Sequence, residues 1–105
     1  MSYDEDSKKA LRSCRFWSAM TLPTLFKEPI WDPREIEKMG HHISDEELLK
    51  NWIISDDLDE HLERIDEYIE AGFNHIHIQS SSPDEEKFIK SYGERVIPRL
   101  HERHA

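Results

Sequence analysis

The chain has 105 residues, a mass of 12.6 kDa and a formal net charge of −9. That length supports one modest core at most. No apolar run approaches the ~20 residues of a membrane span, and the acidic balance opposes a phosphate backbone, which disfavours a nucleic-acid binder. Leu, Ile, Val and Phe together number 24 and charged residues make up 35%, so the chain is predicted to fold around a thin core. Cys14 is the sole cysteine. With no intrachain disulfide available, a reduced, cytoplasmic setting is expected. The opening Met1-Ser2-Tyr3-Asp4-Glu5-Asp6 is acidic where a signal peptide would be basic.

Asp4 to Asp6 supply cap chemistry for a first helix, with Ala10, Cys14 and Trp17 at helical spacing and Leu11 and Ala19 beside them. Pro23 ends it. Thr24 to Trp31 reads as an irregular segment that packs, and Trp17, Phe26 and Trp31 are expected in a core or an interface. Asp32-Pro33-Arg34-Glu35 opens a second helix, with Gly40 placed as its left-handed C′ residue. Ser44 to Glu47 is a further capping box, starting a short helix to about Lys50. Trp52-Ile53-Ile54-Ser55 has the length and polar stop of a buried strand. Asp56-Asp57 starts a helix whose stripe is Leu58, Leu62, Ile65 and Ile69, closed by Gly72.

Residues 73–79 alternate: Ile76 and Ile78 face one way, His75, His77 and Gln79 the other. Ser82-Pro83-Asp84-Glu85 then caps a last helix with the stripe Phe88, Ile89, Tyr92, Val96 and Leu100. Pro98 lies inside that pattern and is expected to kink or loosen it. Arg95, Arg99 and Arg103 suit its C-terminal end. The charge is uneven: residues 51–82 hold eight acids and one base, read as the solvated outer face of the helix after Asp57.

Strand, helix, strand, helix implies parallel strands with a right-handed crossover. Two parallel strands leave both edges unpaired and do not make a sheet that stands alone. The chain is therefore expected to be a piece of a larger βα protein, or to complete its sheet by self-association.

Four stretches carry a resemblance: Trp52 to His61 (WIISDDLDEH), Tyr68 to His77 (YIEAGFNHIH), Pro83 to Ile89 (PDEEKFI) and Arg95 to Leu100 (RVIPRL). With Phe16-Trp17 and Pro29 to Glu37 upstream, this ordered set resembles the C-terminal portion of luciferase-like oxidoreductases. It is most similar to the group that uses the deazaflavin coenzyme F420, of glucose-6-phosphate dehydrogenase type. The resemblance covers about residues 3–103. It implies an α/β fold: a helix-rich βαβα segment of a (β/α)₈ TIM barrel, incomplete on its own, since such a barrel takes ~250 residues. Residues 1–22 then form a helix, 23–50 an insertion with short helices, and 51–103 the final two βα units. Within the latter, 52–55 are strand seven, 57–71 helix seven, 73–79 strand eight and 83–101 helix eight.

Active sites of such barrels lie at the C-terminal strand ends. His77 and Gln79, with Ser80 to Ser82 in the following loop, are therefore expected near substrate or cofactor. The other reading of these groups is as polar barrel-interior residues satisfied by their neighbours. Asn51 is the fourth candidate. The family commonly has basic residues around this level for a phosphorylated sugar, whereas here Asn51 follows Lys50, which speaks against glucose 6-phosphate. Neither His75 with His77 nor His41 with His42 has the further ligands of a metal site, so no metal is expected. Ser55 has no triad support as a nucleophile. The family's catalytic groups and most of its cofactor pocket come from earlier strands, so no catalytic residue is assigned here. Coenzyme F420, or FMN, belongs to the parent enzyme, and neither is expected to bind the isolated chain.

Two functions follow. The first is the C-terminal part of an F420-dependent oxidoreductase, inactive alone, whose partner is the remaining barrel portion. The alternative is a small non-enzymatic interaction module that forms a homodimer through its parallel strand edges. Neither involves nucleic acid or membrane.

Overall fold

The computed structural model describes all 105 residues. Two short strands pair in parallel: β1 (Ser2–Tyr3) against β2 (Ile54–Ser55), with Ser2 opposite Ile54 and Tyr3 opposite Ser55. Between them lie α1 (Ser7–Arg15), two 3₁₀ turns (Ser18–Thr21 and Pro23–Phe26), α2 (Pro33–Gly40) and α3 (Asp45–Asn51). After β2 come α4 (Leu58–Glu70) and α5 (Glu85–Ser91), then a π turn (Tyr92–Val96) leading into α6 (Ile97–Arg103).

Most helix starts follow their cap signals. Asp6, Asp32 and Asp57 each accept a main-chain N–H two residues on, and Ser44 accepts that of Glu47. The last cap differs from the sequence expectation: Asp84, not Ser82, caps α5, by accepting the Lys87 N–H at 3.0 Å. Ser82 is occupied elsewhere, since its buried Oγ accepts the Tyr3 N–H at 3.0 Å. Gly72 takes the left-handed conformation after α4, with φ of 105°. Gly40 does not. It is the last residue of α2 and is needed for space, because a Cβ there would sit 2.7 Å from Ser18 Oγ and 3.1 Å from the Ala19 nitrogen.

The sheet is buried on both faces, as parallel pairs require. On one face, Ala10, Cys14, Leu48 and Ile54 pack α1 and α3 against β2. On the other, Tyr3 and Ile53 pack with Leu58, Leu62 and Ile65 of α4 and with Phe88, Tyr92, Val96 and Leu100 of the last helices. The outer side of α4 carries its carboxylates, and two of these hold α6: Asp59 bonds Arg99 at 2.5 Å, and Asp66 pairs with Arg103 and with His104.

Three expectations are corrected. First, residues 73–79 do not form a strand. Ile76 and Ile78 pack on the larger core, but no main-chain N–H between residues 74 and 80 reaches a backbone acceptor. Second, the segment 1–22 is not simply a helix. It begins with β1, which stands where 52–55 and 73–79 were expected to meet. On its free edge, Met1 donates its terminal N–H to the Gln79 carbonyl at 3.0 Å, and the Ser81 N–H donates to the Met1 carbonyl at 2.7 Å, the pattern of a parallel bridge. Third, of the core and the interface expected for Trp31 and Phe26, the core is excluded: they are 90% and 72% exposed. Pro98 is accommodated by the π turn ahead of it, where the helix hydrogen-bond ladder is already shifted.

Candidate functional site

Burial alternates over residues 75–79, with Ile76 and Ile78 half-buried and His75, His77 and Gln79 exposed, as the sequence dictates. With Ile76 and Ile78 held by the core, His75, His77 and Gln79 turn the other way. Together with Ile76 they line a cavity of about 570 Å³ that Trp17, Met20 and Trp52 also line. Trp52 and Asn51 reach it because α3 ends there: Asn51 is the last helical residue, and the Trp52 N–H closes the helix on the Leu48 carbonyl at 3.0 Å. Met20 reaches it from within the first 3₁₀ turn, and Trp17 from the bend between α1 and that turn. That bend is fixed by Ser18 Oγ, which donates to the Arg15 carbonyl at 2.7 Å and the Gly40 carbonyl at 3.0 Å.

Three of the four candidates, His77, Gln79 and Asn51, therefore meet at one cavity. Asn51 Nδ2 donates to the Glu47 carbonyl at 2.9 Å, which turns its amide and leaves Oδ1 as a free acceptor. Ser80 is placed differently. Its Oγ donates to Ser82 Oγ at 2.7 Å and accepts the Ser82 N–H at 3.0 Å, closing the loop rather than lining the cavity. Ser55 is also structural: it donates to Glu60 at 2.6 Å and accepts the Asp57 N–H at 3.0 Å, tying the end of β2 to α4. His41 and His42 lie in the exposed turn after α2.

One buried functional group had escaped notice in the sequence. His61 has no exposed surface. Its Nε2 lies 3.0 Å from the Ser55 carbonyl, and its Nδ1 lies 2.6 Å from the Tyr92 hydroxyl. A carbonyl only accepts, so Nε2 carries the proton and Nδ1 accepts from Tyr92. Burial lowers the His61 pKa below its ordinary value and raises that of the Tyr92 phenol. The signal was present: His61 is three residues after Leu58 and four before Ile65, on the apolar stripe of α4.

The cavity wall offers aromatic and thioether surface with amide and imidazole groups. A cofactor with an anionic tail needs cations or converging backbone N–H groups. No residue of the chain is assigned to a cofactor.

Comparison with known proteins gives the class. The chain superposes on an F420-dependent secondary alcohol dehydrogenase, solved with an F420-acetone adduct, with a TM-score of 0.87 and 32% identity over 94% of this chain and 30% of that one. The chain thus has the fold of a portion of a larger F420-dependent TIM-barrel enzyme with a luciferase-like fold. Among individual proteins, it is 36% identical over 100 residues to the F420-dependent glucose-6-phosphate dehydrogenase of Nakamurella multipartita, covering 95% of this chain and 30% of the relative. It is 39% identical over 103 residues to that of Beutenbergia cavernae, covering 98% and 31%. The chain matches the C-terminal fraction of such dehydrogenases and spans about 30% of the length of the curated relatives it matches. No family model matches it. These similarities favour part of an oxidoreductase over a self-associating interaction module.

Proposed function

We propose that this chain is the C-terminal part of the barrel of an F420-dependent oxidoreductase, where it forms the wall beside the substrate. The superposition of 94% of the chain on an F420-dependent alcohol dehydrogenase at a TM-score of 0.87 carries this reading. The cavity lined by His77, Gln79 and Asn51 supports it, because candidates from two separate stretches of the chain converge there. The deazaflavin, when bound to the complete enzyme, supplies the hydride chemistry. The groups of this chain bind and orient: His77 and Gln79 hydrogen-bond the substrate, Asn51 Oδ1 accepts from a substrate hydroxyl, and Trp17 and Trp52 keep water from it. The partner is the remaining barrel portion, which holds the cofactor and the acid–base groups.

The test is a chimera in which this chain replaces the matching 100 residues of the Nakamurella multipartita relative. The folded chimera is expected to reduce F420 with an alcohol or sugar substrate. His77→Ala together with Gln79→Ala should lower kcat/KM at least tenfold, about 1.4 kcal/mol. A folded chimera that binds F420 and reduces none of it overturns the proposal.

A further inference from the structure

β1 is bonded on both sides, in a register that points beyond it. On one side Ser2 stands opposite Ile54 and donates to the Ile53 carbonyl at 2.8 Å. On the other, Met1 donates to the Gln79 carbonyl at 3.0 Å and accepts the Ser81 N–H at 2.7 Å. Bonds of a parallel ladder recur at every second residue. Followed backwards from Met1, the two ladders meet backbone groups that have no partner: the N–H of Ile53 on the β2 side, and the Gln79 N–H with both groups of His77 and His75 on the other. Ile53 is a buried residue, where an N–H without an acceptor is costly.

The cavity lies along the same line. Met1, Ile53, His75, His77 and Gln79 line it, and it reaches Ile65 and Tyr68 of α4, so it passes through the layer of the sheet. Because β2 and the 75–81 segment both flank β1 directly, the gap between them starts one strand wide, with ~4.8 Å to each neighbour.

We infer that this gap takes a single parallel β-strand of the remaining barrel portion, in line with β1 and about five residues long. The inference rests on the reading of the chain as part of that barrel and names the element that completes it. The chain spans about 30% of its relatives and matches their C-terminal fraction, so their remaining length lies ahead of the matched part. Counting back from Met1, the first residue of the strand accepts the Ile53 N–H. The second accepts the Gln79 N–H and donates to the His77 carbonyl, and the fourth does the same for His77 and His75. Neighbours in a parallel pair share a face. The second and fourth side chains therefore join Met1, Ile76 and Ile78 on the larger core and are apolar, while the first and third stand beside Gln79 and His77.

The test joins Thr-Val-Thr-Val-Thr ahead of Met1 in the full 105-residue chain and compares amide hydrogen exchange with and without it. The N–H groups of Ile53, His77 and Gln79 are expected to exchange at least tenfold more slowly with the extension, while those of Ile76 and Ile78, which face the opposite edge, are unchanged. Pro in place of the Val nearest Met1 is expected to abolish the slowing at His77 and Gln79. Pro at the middle Thr, whose N–H turns away from that segment, should leave it. Unchanged exchange at His77 and Gln79, or slowing at Ile76 and Ile78 instead, overturns the inference. The chimera separates the two readings. A chimera that binds F420 and reduces none of it, beside the expected exchange pattern, overturns the oxidoreductase and leaves the strand slot standing. An active chimera beside unchanged exchange overturns the strand alone.

Discussion

Both ring nitrogens of His61 are committed, one to β2 through the Ser55 carbonyl and the other to the π turn through Tyr92. Tyr3 and Tyr92 meet its ring edge to face, with centroids 5.8 Å and 5.6 Å away. Removing the imidazole takes away the His61 partner of the buried Ser55 carbonyl, leaves the Tyr92 hydroxyl with only Met1 Sδ at 2.9 Å and opens a cavity, so His61→Ala is expected to destabilise the chain by about 2–4 kcal/mol in chemical denaturation. The native pKa of His61 is lowered, so between that value and the ordinary 6.5 the unfolded chain binds a proton that the native chain does not. Stability is therefore highest above pH 6.5 and falls as the pH drops through that value. The acid-side decline in Tm should flatten in His61→Gln; an unchanged slope would place the titrating group elsewhere. At Gly40, the added Cβ of Gly40→Ala meets Ser18 Oγ and the Ala19 backbone, and a loss of about 1–3 kcal/mol is expected. A double-mutant cycle with Ser18→Ala should show coupling, whereas additive effects would mean that the two do not share the space.

At the scale of elements, the helices were legible and the third extended segment only half so. The stripe Leu58, Leu62, Ile65 named the buried face of α4, and cap signals placed four helix starts because those contacts lie within one turn. The alternation over residues 73–79 gave the right faces, but the strand itself depends on a neighbouring backbone that nothing local in the sequence supplies. β1 was missed because two residues are too few to show a period. The α5 cap was misread because Ser82, a sound local candidate, is drawn to Tyr3, a partner 79 residues away in sequence. That Asn51, His77 and Gln79 would lie near one another was legible from the Trp52–Ser55 stretch and the alternation after Phe73, while the Ser80 hydroxyl is claimed within its own loop. The acidic face of α4 is more than a solvated surface: it fastens α6 through Asp59 and Asp66. Such pairs are exposed and weak. Asp66→Asn should cost under about 1 kcal/mol at neutral pH, against about 2–5 kcal/mol for Leu62→Ala in the core, where Leu62 is 1% exposed. Comparable losses in urea denaturation would contradict that ordering.

The molecule as a whole has more apolar surface than its core uses. Phe16, Phe26, Trp31, Phe73 and Ile89 are all well exposed, and the extended backbone of residues 74–80 carries free N–H groups beside a cavity. Single exposed apolar groups are ordinary, but a segment whose Gln79 carbonyl bonds Met1 while its own N–H groups stay unpaired has an open edge. The proposed role as the closing portion of a larger barrel accounts for both. Amide hydrogen exchange across residues 74–80 tests it most directly, measured on the chain alone and after mixing with the complementary part of the Nakamurella multipartita relative. The account predicts fast exchange alone and clear protection in the mixture, with the amides of α4 protected in both. Equal exchange with and without the complement, or strong protection in the chain alone, would contradict it.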